Sequence, residues 1–304
     1  MDIKSKIILI AGPTASGKSN FSIRLAKKIN GEIINADSMQ VYKQIKILTA
    51  RPKVSEQKHI KHHLYGFHNV KRKFSTGHWL KLATKKIKEV QKKNKIPIIV
   101  GGTGLYFKSL TEGLVKIPNI PIKFRNQIRS LQNKLGQKKF YNKLVKLDPL
   151  IRYKINANDV QRSIRAFEVK KFTNLSIIKW FQNTKALFDK NNFIKIYINF
   201  SREDLINRIT KRVDRMFKDG AIIEVKRFNK LGVKKDNSAN KIIGIHEIGN
   251  YLAGEFDLNT TKEKINIKTR QYAKRQSTWA RSQMSTWERI DPKELKSLIK
   301  KLNN

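Results

Sequence analysis

Residues Gly12-Pro13-Thr14-Ala15-Ser16-Gly17-Lys18-Ser19 fit the pattern GxxxxGK[ST], a spacing that holds phosphate. Backbone N–H groups of such a loop surround phosphate oxygens, helped by the helix N-terminus that follows. Lys18 adds a positive charge, and the Ser19 hydroxyl is suited to ligate Mg²⁺. The motif specifies phosphate rather than ATP. Phosphoryl-transferring enzymes with this loop hold their metal with a carboxylate on a second strand. Here the apolar run 96–100 ends in Gly101-Gly102-Thr103, with no acid. The acid at a strand end is Asp37, after Ile33-Ile34-Asn35-Ala36. Three roles are open to it: a metal holder, a general base beside the phosphates, or an N-cap, since Asp-Ser is a good helix start.

A loop of this kind needs a strand before it and a helix after it. The run 7–11 is apolar and bounded by Lys6 and Gly12, which predicts a buried strand. A helix over 19–30, a strand over 32–36, a basic helix over 76–94 and a strand over 96–100 follow. Strands alternating with helices imply a parallel sheet, with ligands at the carboxyl ends of its strands. Beyond Pro118 and Pro121 the pattern turns helical and very basic, with breaks at Gly136 and at Asp148-Pro149. A β-like run returns at 194–200. The economical reading is α/β: a parallel-sheet core, 1–118 plus 192–304, carrying an inserted all-helical domain, 119–191.

The last third reads as helical. Leu205, Ile209, Val213 and Met216 form one helical stripe. At about 100° per residue Arg212 falls roughly 20° from Leu205, with Arg208 and Arg215 further round. An arginine there either snorkels along its stem or faces an internal anion. Arg270, Lys274 and Arg281 fall within roughly 40° of one another, a stripe that reads either as a nucleic-acid face or as a solvated one. Five of the six histidines lie between His59 and His78, without metal-ligand partners at a recognisable spacing. Trp79, Trp180, Trp279 and Trp287 read as core or interface anchors.

Composition narrows the function classes. A chain of 304 residues, 39% hydrophobic, has material for about two domains with real cores. Lys and Arg number 66 against 23 Asp and Glu, a formal charge of +43. Enrichment in Lys, Asn and Ile together is what an AT-rich coding sequence gives, so part of this charge is solvated surface. The scarcity of acids points further, to a polyanionic partner, nucleic acid first. The absence of cysteine excludes disulfides, thiol nucleophiles and thiolate metal sites. No run is long enough for a membrane span or a signal peptide, so a cytoplasmic protein without a membrane partner is expected.

With these residues in view, the sequence resembles the bacterial tRNA dimethylallyltransferase family, also called tRNA isopentenyltransferases. The likeness runs through the phosphate loop, Asp37-Ser38-Met39-Gln40-Val41-Tyr42, Thr49-Ala50-Arg51-Pro52, His62-His63-Leu64 and Val100-Gly101-Gly102-Thr103-Gly104-Leu105-Tyr106. It continues through Asn158-Asp159-Val160-Gln161-Arg162, Arg208-Ile209-Thr210-Lys211-Arg212-Val213-Asp214 and Thr269-Arg270-Gln271-Tyr272-Ala273-Lys274-Arg275-Gln276. These blocks stand in family order along nearly the whole chain. Val160 departs from the family's frequent proline, and Leu48 from its glycine.

The resemblance implies a P-loop NTPase-like core with a helical insertion. It also implies a reaction. Dimethylallyl diphosphate would donate its five-carbon group to N6 of the adenine 3′ to the anticodon, position 37, in tRNAs reading codons that begin with U, releasing diphosphate. Gly12 to Ser19 would hold the prenyl diphosphate, with Mg²⁺ at Ser19. Lys18 and Arg212 would act at the leaving group, Thr103 would lie near both the diphosphate and the target base, and Asp37 would act as general base. The anticodon stem-loop would meet Asp37, Ser38, Met39, Gln40 and Thr103, together with Arg125, Gln161, Arg162, Ser163, Ile164 and Arg165. Thr103 is also readable as an ordinary N-cap of the helix after it. A monomer is expected. Competing readings are a P-loop kinase of a small metabolite, a non-enzymatic tRNA-binding P-loop protein, and an enzyme prenylating free adenine nucleotides.

Overall fold

The computed structural model describes residues 3, 5–57 and 59–301. Two compact units emerge, Met1–Thr111 with Phe188–Asn304, and Glu112–Leu187. The helical unit therefore begins and ends somewhat before the 119–191 read from composition, and the outer bounds 1 and 304 of that reading lie outside the described residues.

The first unit is built on strands β1 (Ile7–Ala11), β2 (Gly31–Asn35), β3 (His62–His63), β4 (Ile96–Gly101), β5 (Phe193–Ile198) and β6 (Glu288–Ile290). They form one parallel sheet in the order β3-β2-β4-β1-β5-β6. Ile10 of β1 is in register with Val100 of β4 and with Ile196 of β5, and Ile34 of β2 with Ile99. All five residues of β1 are buried, as its near-continuous apolar sequence requires for a strand covered on both faces. Successive side chains alternate between faces. Ile8, Ile10, Ile33, Ile98 and Ile196 share one cluster with Phe21, Leu25 and Ala26 of helix α1 (Lys18–Lys28). Helices α2 (Thr76–Gln91) and α3 (Gly104–Thr111) complete the first crossovers. Trp79 of α2 is fully buried and stacks on Tyr106 of α3 at 4.3 Å.

β3 and β6 do not announce themselves in the sequence. Each has only two or three residues, and pairing to β2 and β5, rather than their own pattern, makes them strands.

The second unit contains α4 (Ile122–Leu147), α5 (Val160–Thr173) and α6 (Ile177–Gln182). α4 breaks at Gly136, where φ is 71°. Phe140, Leu144, Ile151, Ile164, Phe167 and Val169 make its core, with the Phe140 and Phe167 rings 5.0 Å apart. Val160, the departure from proline, is the first residue of α5 after the Asp159 N-cap. Proline is favoured there because the N–H has no intrahelical partner, and valine keeps the helix start without it.

The chain then returns to the first unit through α7 (Arg202–Lys218), α8 (Ala221–Asn229), α9 (Ile245–Leu252), α10 (Leu258–Gln283) and α11 (Leu295–Lys301). Leu205, Ile209, Val213 and Met216 are the buried residues of α7, the stripe that its periodicity marks. They share a cluster with Val41, Tyr42 and Ile45 from the segment after β2. Among the described residues no helix is long and apolar enough to cross a membrane.

Candidate active site

The phosphate loop joins β1 to α1, at the carboxyl edge of an interior strand. Gly17 caps α1 with φ 78°, a conformation that costs a residue with a Cβ but not glycine. Lys18 Nζ donates to the Pro13 carbonyl at 3.1 Å. The Ser16 hydroxyl is buried and has no hydrogen-bond partner among the described residues. Buried polar atoms are nearly always satisfied, so this orphan in the loop marks a place for a ligand's polar atoms.

Next to the loop, the ends of β2 and β4 are tied together. Gly101 closes β4 so near β2 that a Cβ there would lie 2.1 Å from the Ala36 carbonyl group. The close approach lets Thr103 N–H donate to Ala36 O at 3.1 Å. Ser38 N–H in turn donates to Thr103 Oγ1 at 2.9 Å, and Thr103 Oγ1 donates to Ser38 Oγ at 3.3 Å. Thr103 thus uses its hydroxyl on the neighbouring turn rather than as a cap for α3. Asp37 is held from both sides: its N–H donates to Asn35 Oδ1 at 2.9 Å, and its Oδ1 accepts from Met39 N–H at 2.9 Å. No helix follows Asp37, so the N-cap alternative is replaced by a side-chain turn. Its second oxygen has no hydrogen bond among the described residues. Gln40 Nε2 donates to the Thr49 carbonyl at 2.9 Å, which fixes the turn's far end.

Charges gather around Asp37. Burial lowers the Lys18 pKa to about 8, against the Asp37 carboxylate, which holds it up, and with Arg212, which lowers it further. Burial also lowers Arg212, opposed first by Asp37 and then by Tyr272. The Arg212 Nε is buried without a partner among the described residues, so its fork is not merely snorkelling to water. Tyr65, Tyr106 and Tyr272 are pushed upward by burial and next by the Asp37 carboxylate. One half-buried carboxylate, two cations and three neutral phenols therefore share one electrostatic neighbourhood. Lys18, Asp37, Thr103 and Arg212 come from four separate segments, and the fold brings them together.

Two positioning residues escape the sequence reading. Gln276 of α10 accepts from Thr14 N–H at 2.8 Å and donates through Nε2 to Gly102 O at 3.0 Å, so one amide spans the phosphate loop and the β4 turn. Arg208 donates from Nε to Ala15 O at 2.7 Å and lies over the Phe200 ring. Both fall inside blocks of the family resemblance, which for Gln276 is the only signal the sequence holds. Periodicity says which face Arg208 is on, not that Ala15 is there to receive it.

The residues expected to meet RNA in the helical unit divide. Gln161 and Arg162 are exposed, and Arg162 Nη1 pairs with Asp159 at 3.1 Å. Arg125 and Arg165 are half-buried and both approach the buried Glu168, at 3.4 and 3.3 Å. Ser163 and Ile164 differ from expectation: both are buried, Ile164 in the hydrophobic core. Ser163 Oγ accepts from Gln137 Nε2 at 3.2 Å. Helical geometry turns these two inward when Gln161 and Arg162 face out, so their side chains are not available to a partner. Four of the histidines between 59 and 78 are engaged in other contacts: His62 Nδ1 with the Ile60 carbonyl at 2.7 Å, His63 Nε2 with Glu32 at 2.7 Å, His68 Nε2 with the Arg72 carbonyl at 3.1 Å, and the His78 ring with Phe74.

A parallel sheet with a GxxxxGKS loop at the end of an interior strand defines a P-loop NTPase-like protein. Residues 40–283 match the family IPPT, IPP transferase, and the chain belongs to that family. It is 61% identical over 302 residues to the tRNA dimethylallyltransferase of Pelagibacter ubique (strain HTCC1062), covering 99% of this chain and 96% of the relative. The tRNA dimethylallyltransferase of Rickettsia massiliae (strain Mtu5) is 45% identical over 302 residues, covering 98% and 83%. Among solved structures, the full-length tRNA isopentenylpyrophosphate transferase from Bacillus halodurans superimposes with a TM-score of 0.70 at 32% identity, covering 98% of this chain and 95% of that one. A eukaryotic dimethylallyltransferase described as acting on tRNA gives a TM-score of 0.82 at 30% identity, covering 94% and 73%.

Proposed function

We propose that this protein transfers a dimethylallyl group from dimethylallyl diphosphate to N6 of adenine 37 in tRNAs that read codons beginning with U. The observation that carries the reading is the pairing of a phosphate loop with Asp37 as its strand-end acid. β4 ends in Gly-Gly-Thr, where an ATP-hydrolysing relative of this fold keeps a carboxylate. That argues for a leaving group of phosphate without phosphoryl transfer, and so against a metabolite kinase. A non-enzymatic RNA-binding protein would have no need of the Lys18, Asp37 and Arg212 grouping.

In the reaction, the adenine N6 attacks the allylic carbon. The carbon–oxygen bond breaks, and diphosphate leaves with the electron pair. Fixed donors at the leaving oxygen stabilise the developing charge. Lys18, the loop N–H groups and the Arg212 guanidinium supply them. Asp37, held by its turn with one oxygen free of protein bonds, takes the N6 proton as the new bond forms and later passes it to solvent. Thr103 fixes Ser38 and thereby the approach to Asp37. The target base must leave its stack to reach this site.

A divalent cation, Mg²⁺ in this reading, fits the donor set in one way. Among the described residues no three His, Cys, Asp or Glu cluster to cage a metal. Mg²⁺ bound chiefly by substrate phosphates and water needs no such cage, and the Ser19 hydroxyl is the protein ligand offered. Bound there, it would neutralise diphosphate charge. We place the reaction in the cytoplasm with the protein acting as a monomer. Gln161, Arg162, Arg125 and Arg165 supply the insertion's contacts to the anticodon stem-loop.

The test is an incubation with Mg²⁺, dimethylallyl diphosphate and unmodified tRNA, followed by digestion and mass analysis. N6-dimethylallyladenosine at one nucleotide is the expected product; its absence sinks the reading. Asp37→Ala should lower turnover by about 10²-fold or more while keeping tRNA affinity within a few fold. Near-normal turnover in that variant would remove Asp37 from the proton transfer.

A further inference from the structure

The helical unit carries a second feature that the reaction centre does not use. A pocket of about 830 Å³ lies between α4 and the loop 149–157, lined by Tyr141, Lys146, Arg152, Tyr153, Lys154 and Asn156 among others. Tyr153 on its rim is 90% exposed. A tyrosine in water contributes almost none of the apolar burial for which large rings are used in folding. The loop beneath it is nevertheless fixed. Ile151 and Ile155 are buried in the unit's core. Lys154 and Ile155 donate their N–H groups to Ile151 O at 2.9 and 3.1 Å. Tyr141 Oη lies 3.0 Å from the Arg152 carbonyl and 2.9 Å from that of Ile155. Arg152, Tyr153 and Lys154 thus stand outward as one rigid display.

The charges around the ring lack counter-ions. Lys146, Arg152 and Lys154 form no ion pair among the described residues. Of the neighbouring acids, Asp159 pairs with Arg162 and Glu168 with Arg125 and Arg165, while Asp148 is buried and its Oδ2 has no hydrogen bond among the described residues. An exposed aromatic ring flanked by unpaired cations is the arrangement that receives single-stranded nucleic acid, the base on the ring and the phosphates on the cations. A duplex has no free base face to offer it.

We propose that the loop 149–157 is a binding site for an unpaired RNA nucleotide, whose base stacks on Tyr153 while Lys146, Arg152 and Lys154 hold the flanking phosphates. The proposal rests on the tRNA reading above and extends the RNA surface beyond the segment from Gln161 to Arg165. A preformed display also lowers the ordering cost of binding.

The test is binding of a fluorescein-labelled anticodon stem-loop RNA to the full chain, followed by anisotropy. Tyr153→Ala should weaken binding about tenfold, within the range measured for loss of one stacked base, and Tyr153→Phe should recover it. The triple variant Lys146→Ala, Arg152→Ala, Lys154→Ala should reduce the slope of log affinity against log salt by about 2, at about 0.7 per single-strand phosphate. With 2-aminopurine placed at each unpaired loop position in turn, one position should be quenched by the wild type and not by Tyr153→Ala. Tyr153→Ala affinity within twofold of wild type, in a protein that makes prenylated tRNA, overturns this site and leaves the reaction standing. A wild type that neither binds the RNA nor makes product overturns both.

Discussion

Lys18 occupies a costly position: an ammonium in a loop built for an anion, with burial pressing its proton off. Its pKa of about 8 lies below the ordinary lysine value of 10.5. Between those values the unfolded chain binds a proton that the folded one does not, so the ligand-free protein gains stability as pH rises through that window. Diphosphate capture runs the other way, because it needs the ammonium, which is complete only below about pH 8. The expected outcome is a kcat/KM for dimethylallyl diphosphate that declines through a single titration above pH about 8, since this parameter reports groups of the free enzyme. A profile flat to pH 10 would show that Lys18 keeps its proton. Lys18→Met should melt at a higher temperature than the wild type at pH 7 while losing donor binding, a direct exchange of function for stability.

α10 does more for the site than its own basic stripe indicates. Arg270 of that stripe is engaged with Glu263 at 2.8 Å, whereas Gln276 reaches the phosphate loop and the β4 turn at once. Truncating Gln276 leaves Thr14 N–H and Gly102 O without their side-chain partner, and each such loss costs about 1–3 kcal/mol. Gln276→Ala should therefore lower the unfolding free energy of the first unit by at least about 1 kcal/mol. It should also raise KM for the diphosphate donor more than it lowers kcat. Gln276→Glu retains the acceptor to Thr14 but turns an oxygen toward Gly102 O, so it should fall short of the wild type in both. Calorimetry with donor-dependent kinetics reads both effects; an unchanged KM would make the clamp purely structural. Another tie of this kind lies further along, where the Glu224 carboxylate of α8 accepts from the N–H groups of Lys46, Ile47 and Leu48 at 2.6 to 3.0 Å. Leu48, a departure from the family's glycine, is buried in the α7–α9 core.

The net charge of +43 acts through the molecule as a whole. It attracts a polyanion from any direction and has little to say about which surface receives it. Binding that rests on phosphate contacts loses affinity steeply with salt, by about 10³-fold between 50 and 200 mM for about six contacts. The affinity of this protein for unmodified tRNA should fall on that order, whereas KM for dimethylallyl diphosphate should change far less over the same range, because the donor site is partly buried and less screened. A tRNA affinity insensitive to salt would mean that the basic surface is solvation alone.

Much of this protein was legible without coordinates. The phosphate loop, its strand and its helix are local: apolar runs, glycines and Lys-Ser at fixed spacing settle them within thirty or so residues. The helical insertion shows in its periodicity and its breaks at Gly136 and Asp148. The α7 stripe was readable because an amphipathic helix writes its buried face at 3.6-residue intervals. What the chain alone could not decide is which distant groups meet. Edge strands β3 and β6 exist because of their neighbours. Gln276 clamps Thr14 across more than 260 positions, and Arg208 braces Ala15 from another helix. Ser163 and Ile164 turn inward beside Arg162, which faces out. Tyr153 stands in water because Ile151 and Ile155 on either side are anchored in the core. Such pairings depend on side-chain direction after packing, and only the tertiary structure determines that.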